Sequence, residues 1–390
     1  MEYLLVYFFI EYKKVVEIYF FMEEKNKKNP RILMYGYFGA GNIGDEAILE
    51  IQIKILRELN PNIEISILTH NEKRAKELNV KPYDFKDILK IINAIEECDL
   101  IISGGGGLFQ DISGTCTPLY YGLIMYLGEI IQRPVFIFGQ GFGPITTKKG
   151  ISYTKKLLPF CAKATFRDKE SLKEFKEYAP NIPAFYTADP AFAYEVGNSE
   201  RGIKLLQKMG INMDKKIIYF SIREFKNLDY KIIAEGINKW YNLLQDKNIQ
   251  IVIIPFQFVF DKDISENISK LLLPENYCFS EVKVSELMDL FAVDNCELIF
   301  STRLHGIILG SISHKCCIAI SYAFKVQRIC DILEAPFVQL KEINSDKVYD
   351  LLNKSWENRK EISEREYNIA MKEKEKVYDT AKMALELLKK

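Results

Sequence analysis

The sequence is short of three things, and each shortage excludes a class of protein. It carries no net charge, with 53 lysines and arginines against 53 aspartates and glutamates in 390 residues. Without a basic excess it is not a nucleic-acid binder, and any anionic ligand must be held by local groups. It has no paired cysteines: the eight, at 98, 116, 161, 278, 296, 316, 317 and 330, include no CxxC and no zinc-like spacing, so no metal is expected. They read as buried free thiols of a reducing, cytoplasmic compartment. Adjacent Cys316-Cys317 run into Ile318-Ala319-Ile320 and belong to a core strand rather than a redox pair. Finally, no apolar run is clean enough to span a membrane. The first 22 residues are rich in aromatics but are broken by Glu2, Glu11, Lys13, Lys14 and Glu17, and they lack the small-residue cleavage site of a signal peptide. Residues 1–30 are read as an extension that packs on the protein or is dispensable, with peripheral membrane contact as the alternative. No short internal repeat and no low-complexity linker is present.

What the chain does have is length for two domains with a cleft between them. Short apolar runs alternate with amphipathic ones. Ile32-Tyr35, Ile63-Leu68, Leu100-Ile102 and Val135-Phe138 read as strands, and residues 46–59 and 118–131 read as helices. The pattern restarts after a polar patch at 197–202, with strands at Ile217-Ser221, Ile249-Pro255, Leu298-Phe300 and Cys316-Ile320. This alternation predicts α/β architecture: two Rossmann-like domains, each a parallel sheet covered by helices, spanning 31–195 and 196–345. From 346 to 390, apolar residues at helical spacing, among them Ala370, Val377 and Ala381, predict a pair of closing helices.

Only three histidines occur, His70, His305 and His314. In Ser301-Thr302-Arg303-Leu304-His305-Gly306 an apolar strand stops, and a guanidinium and an imidazole precede the next helical periodicity. That junction combines anion binding with a side chain that titrates near neutrality. Taken alone, such a motif is more often a histidine that merely caps a helix.

Three glycine-rich segments follow apolar runs. Gly39-Ala-Gly41-Asn42-Ile43-Gly44 matches GxGxxG, opening a helix with Ile48, Ile51, Ile55 and Leu59 on one face. Asp45 and Glu46 place negative charge where a pyrophosphate would sit, however, and Thr69-His70-Asn71 offers no acidic ribose ligand, which argues against a nicotinamide or flavin cofactor. Ser103-Gly104-Gly105-Gly106-Gly107 and Gly139-Gln140-Gly141-Phe142-Gly143-Pro144 are read as two further loops at strand ends. Together the three suggest a crevice along one sheet edge.

In order, Gly36-Tyr37-Phe38-Gly39, Asn42-Ile43-Gly44-Asp45-Glu46-Ala47, Gly104-Gly105-Gly106 with Gln110-Asp111, Gly139 to Pro144, Arg167-Asp168, Ala188-Asp189-Pro190-Ala191-Phe192 and Arg303-Leu304-His305 resemble the polysaccharide pyruvyl transferase family, especially its cell-wall polymer pyruvylating members. The resemblance runs from about 31 to 335. It implies a glycosyltransferase-B-like fold, two Rossmann-like domains facing across a cleft, with the acceptor side in the first and the donor side in the second. It also implies transfer of pyruvate from phosphoenolpyruvate to a sugar of a cell-wall or surface polysaccharide, or its lipid-linked precursor, as a cyclic ketal with release of phosphate. Phosphoenolpyruvate is then a co-substrate and no cofactor is required.

On this reading His305 and Arg303 are the catalytic pair, and Arg303, Leu304, His305, Arg167, Lys325 and Arg223 bind phosphoenolpyruvate, because a phosphate beside a carboxylate calls for several cations. Asn42, Asp45, Gln110 and Asp111 are candidate contacts to sugar hydroxyls, with Glu46 and Asp189 as further polar groups near strand ends. Asp168 reads as a helix cap. A lipid-linked acceptor would place the enzyme at the inner face of the cytoplasmic membrane. Three alternatives stay open: a glycosyltransferase using a nucleotide sugar, a Rossmann-type oxidoreductase, and a sugar-binding or scaffolding protein without chemistry.

Overall fold

A computed structural model describes residues 29–112, 114–225 and 228–389. The N-terminal extension, with the aromatic residues considered for membrane contact, lies outside the described residues. Two compact units emerge. One comprises the described chain up to Ala40, Gln52–Asp189 and the segment from Tyr378 onward; the other comprises Gly41–Ile51 and Pro190–Val377. Residues 41–51, read from the sequence as part of the first domain, therefore group with the second unit.

The first unit contains eight parallel strands, β1 Arg31–Tyr35, β2 Glu64–Leu68, β3 Lys81–Tyr83, β4 Leu100–Ser103, β5 Gly106–Phe109, β6 Val135–Phe142, β7 Lys163–Phe166 and β8 Ala184–Tyr186. Their order is β3-β2-β1-β4-β6-β7-β8, with β5 paired to β6. In β1 and β4 both faces are covered: Leu33, Tyr35 and Ile101 pack into a core with the helices Ile88–Glu97 and Thr117–Ile130, and Ile32, Met34 and Ile102 on the opposite face are fully buried too. Burial on both faces is why these strands read as unbroken apolar runs rather than alternating ones.

The second unit carries six parallel strands, β9 Lys216–Ser221, β10 Ile249–Ile253, β11 Glu275–Cys278, β12 Cys296–Ser301, β13 Cys316–Ser321 and β14 Phe337–Gln339, in the order β11-β10-β9-β12-β13-β14. Counting from β9, that is the 3-2-1-4-5-6 order of a doubly wound sheet. The winding direction reverses between β9 and β12, and at that switch point the connections leave in opposite directions and open a crevice beyond the strands' carboxyl ends. Two helices follow the last strand, Ser345–Glu357 and Arg359–Leu385.

The cysteines are all free, and six of the eight are buried; Cys116 is exposed and Cys278 half-buried. Cys316-Cys317 lies in β13 as the sequence implied, and burial pushes the Cys317 thiol well above its ordinary pKa.

Two glycine segments read as loops are largely strand. Gly106 to Phe109 forms β5, and Gly139 to Phe142 completes β6. Glycines erase the apolar signature of a strand, yet the backbone continues to pair: Gly106 and Phe109 face Gln140 and Phe142 on one side, and Phe166 faces Gln140 on the other. The ladder is interrupted between Ile137 and Gln140, where Gly139 takes φ +56° and donates its N–H to Thr165 Oγ1 at 2.8 Å. Such an extra residue needs the left-handed backbone that glycine adopts freely.

In the first unit the switch point lies between β1 and β4, and an aromatic ring packs there. Phe38 is buried, and a Cβ on Gly36 or Gly104 would fall 2.6 or 2.4 Å from the tip of its ring. Replacing Gly104 with alanine should therefore cost about 1–3 kcal/mol by overpacking, measured by urea denaturation. Gly107→Ala, which meets open space, should stay within about 0.5 kcal/mol of the parent.

Candidate active site

Three neighbouring strands of the second sheet, β9, β12 and β13, all end in a buried serine: Ser221, Ser301 and Ser321. The residues just beyond them carry the charge. At the switch point, Thr302 N–H donates to Ser221 O at 2.9 Å and Arg223 N–H donates to Thr302 Oγ1 at 3.0 Å, which locks the ends of β9 and β12 together. Ser301 Oγ accepts from Arg303 N–H and donates to Arg303 O, both at 2.9 Å. This tight turn makes Arg303 the N-cap residue of the helix Leu304–Ile312.

The Arg303 guanidinium is buried and forms a bidentate pair with Asp261, through Nε at 3.1 Å and through Nη2. Asp261 has no exposed surface and also accepts the backbone N–H groups of Phe256 and Gln257, at 3.1 and 2.9 Å. Burial is the largest influence on Arg303 and lowers its pKa; Asp261 opposes this and Arg223 adds to the lowering. Asp261 thus spends one edge of the fork holding Arg303 in place, while Nη1 makes no protein hydrogen bond among the described residues. Nothing in the sequence marked Asp261, because its partner lies 42 residues away.

Every residue of the helix Leu304–Ile312 is buried except His305. The side chain of Leu304 lies in the core, so this residue can offer an anion only its backbone. His305 lies against Gly44, where a Cβ would sit 1.9 Å from Nδ1. Ile43 N–H donates to Phe256 O at 2.9 Å, and Asn42 Oδ1 accepts from Gly44 N–H at 3.1 Å, fixing this backbone beneath the imidazole. The last glycine of the GxGxxG match is therefore a seat for His305. The first, Gly39, has φ +79° and faces Thr69 Oγ1 and Asn71.

Tyr322 lies one residue beyond β13. Its hydroxyl accepts a hydrogen bond from Arg223 Nη1 at 3.2 Å, its ring stacks on Phe225 with centroids 3.8 Å apart, and the Lys325 ammonium lies 5.7 Å from the ring centroid. Lys325 itself is exposed, Arg223 half-buried. The second unit thus brings Arg223, Arg303, His305 and Lys325 to one sheet edge, and Asn42 and Asp45 group with the same unit.

Arg167, Gln110 and Asp111 belong to the first unit. Arg167, like Arg303, is a buried arginine with an aspartate partner. It bonds Asp189 at 2.8 Å and packs where a Cβ on Gly141 would lie 2.6 Å from Nη2. Asp189 is its fully buried counter-ion. Asp168 caps the helix Lys169–Tyr178 through Ser171 N–H, as its position implied. Asp111 is likewise engaged in the protein itself. Its carboxylate accepts from the N–H and hydroxyl groups of both Thr146 and Thr147, at 2.6 to 3.2 Å. Burial works to raise its pKa, and these hydrogen bonds outweigh it and bring the pKa below the usual carboxylate value. Among the described residues no group of three or more His, Cys, Asp or Glu side chains is placed to hold a metal ion, and no helix is long and apolar enough to cross a membrane.

The two parallel sheets and their helices define a glycosyltransferase-B type fold. It is shared with UDP-GlcNAc 2-epimerase from Neisseria meningitidis bound to UDP-GlcNAc, at TM-score 0.61 and 12% identity over 92% of this chain and 99% of that one. A glycosyltransferase from Rickettsia africae gives 0.60 and 12% over 93% and 98%. A UDP-glucosyltransferase from Polygonum tinctorium gives 0.59 and 10% over 94% and 100%. At such identities the likeness is one of fold. No curated protein matches the sequence significantly. The chain belongs to the polysaccharide pyruvyl transferase family, whose model matches residues 42–323, and is accordingly a transferase of pyruvate to polysaccharide.

Because Asp261 is the buried counter-ion of Arg303, Asp261→Ala should destabilise the protein by about 3–5 kcal/mol, read as a lowered urea midpoint. A loss under about 1 kcal/mol would show that the pair does not anchor this edge.

Proposed function

We propose that the protein transfers the three-carbon skeleton of phosphoenolpyruvate to two hydroxyls of one sugar in a polysaccharide or its lipid-linked precursor, forming a cyclic ketal and releasing inorganic phosphate. The observation that carries this reading is the set of Arg223, Arg303 and Lys325 around the switch point of the second sheet, with His305 presented from the adjoining helix. A donor bearing phosphate and carboxylate is matched by several cations, of which arginine offers paired donors in fixed geometry.

In this mechanism His305 delivers a proton to the methylene carbon, C2 becomes electrophilic, and the first sugar hydroxyl adds there and returns its proton to the imidazole. The C2–O bond to phosphate then breaks, and the second hydroxyl closes the ring. Overall, one hydroxyl proton ends on the new methyl group and the other leaves with phosphate. Asn42 and Asp45, which group with the same unit as His305, are the residues proposed to meet the acceptor. A lipid-linked acceptor would bring the reaction to the inner membrane face.

Incubation with phosphoenolpyruvate and a panel of N-acetylmannosamine- and galactose-containing acceptors should release phosphate. His305→Gln should lower turnover about 10²–10⁴-fold with unchanged thermal unfolding. Near-normal turnover in that variant would overturn the role of His305, and release of a nucleoside diphosphate from a nucleotide sugar in place of phosphate would overturn the reading as a whole.

The Gly44 seat adds a separate expectation. Gly44→Ala drives a methyl group into the imidazole, so turnover should fall at least about tenfold, the scale expected when a catalytic group is misplaced. Steady-state kinetics beside a folded-state check would test this.

A further inference from the structure

Proton bookkeeping in the proposed reaction leaves a task that one imidazole does not cover. His305 serves the first half, in which the methylene carbon gains a proton and the first hydroxyl loses one. The second half needs an acid for the departing phosphate and a base for the second hydroxyl, at nearly the same place.

Tyr322 has the geometry for this. It follows β13, which pairs with β12 through Ala319 and Ser301, so it stands beside the strand end that carries Arg303 and His305. Its ring is held from moving by the stack on Phe225, with an interplanar angle of 24°, and by Arg223 and Lys325, whose charged groups lie 5.6 and 5.7 Å from the ring centroid. Arg223 Nη1 donates to its hydroxyl at 3.2 Å, and Lys325 adds a second positive charge beside the ring. A tyrosine kept only for packing has a different setting. Tyr35 and Tyr219 are buried without cations around them, and burial raises both. At Tyr322 burial works in the same direction, but Lys325, Arg223 and Arg303 outweigh it and the pKa is lowered.

We propose that Tyr322 is a second acid and base of the transfer: its phenol protonates the phosphate oxygen as the C2–O bond breaks, and the resulting phenolate takes the proton of the second sugar hydroxyl as that oxygen bonds to C2. The electron pair of the broken bond leaves with phosphate. Arg223 and Lys325 stabilise the transient phenolate, and the phenol is regenerated once per ketal. This inference rests on the phosphoenolpyruvate reading above.

The test is Tyr322→Phe, which keeps the ring against Phe225 and removes only the hydroxyl. Phosphate release should fall at least about a hundredfold, with KM for phosphoenolpyruvate within about threefold of the parent. In rapid-quench single turnovers followed by ³¹P NMR, the variant should accumulate the open adduct that still carries phosphate on C2, since the His305 half is intact. Ultraviolet difference titration of the parent against the variant should show one phenol ionising ahead of the others, displaced to higher pH when inorganic phosphate is added.

Turnover within about threefold of the parent, slow turnover without the adduct, or no early-ionising phenol overturns the proposal while leaving the transfer reading standing. A parent protein that releases no phosphate from phosphoenolpyruvate with any acceptor overturns the reading and this inference with it.

Discussion

The ion pair between Arg303 and Asp261 is the interaction on which the site depends. A charge with so little exposed surface is tolerated only with a counter-ion and well-placed hydrogen bonds. Asp261 supplies the counter-charge and also takes up two backbone N–H groups before its own helix, Phe258–Ser269. One carboxylate therefore joins the start of that helix to the start of Leu304–Ile312. The Arg303 backbone is fixed by Ser301, so the first turn of the latter helix has a single course, and the single side chain it does not bury is His305.

Around this pair the second sheet acts as a frame. Parallel strands deliver their following residues to the same edge, and reversal of winding between β9 and β12 keeps helices from covering it. The three terminal serines are small and buried, so the backbone can turn sharply there and the larger groups just beyond them, Arg223, Arg303 and Tyr322, sit at one edge. Segment 41–51 contributes differently, through a glycine close enough to the imidazole that any side chain would collide with it. In the first unit the charges near the strand ends have a quieter part. Arg167 with Asp189, and Asp111 with Thr146 and Thr147, fasten the loops beyond β7 and β6.

Strand alternation, the two-sheet architecture and the Arg303-Leu304-His305 junction were legible because they rest on local periodicity and on an abrupt change of residue type. The ends of β6 and β5 were not, because glycine has no apolar face to alternate. The counter-ion of Arg167 was hidden as well, because an arginine at a strand end carries no mark of a partner 22 residues further on. The same blindness applies to Asp261, an acidic residue on an ordinary amphipathic helix. Tyr322 left one faint signal, its place beyond a third strand ending in serine.

What the sequence by itself determined is the fold class, the family and the chemical types available at the strand ends, since apolar patterning and short motifs are properties of neighbouring residues. Which charges are spent on structure and which face the crevice was decided by tertiary structure alone. That choice is made by burial and by partners far apart in the chain. It paired Arg167 with Asp189 and Asp111 with Thr146 and Thr147, made Gly44 the seat of His305, and gathered Arg223, Arg303 and Lys325 near Tyr322.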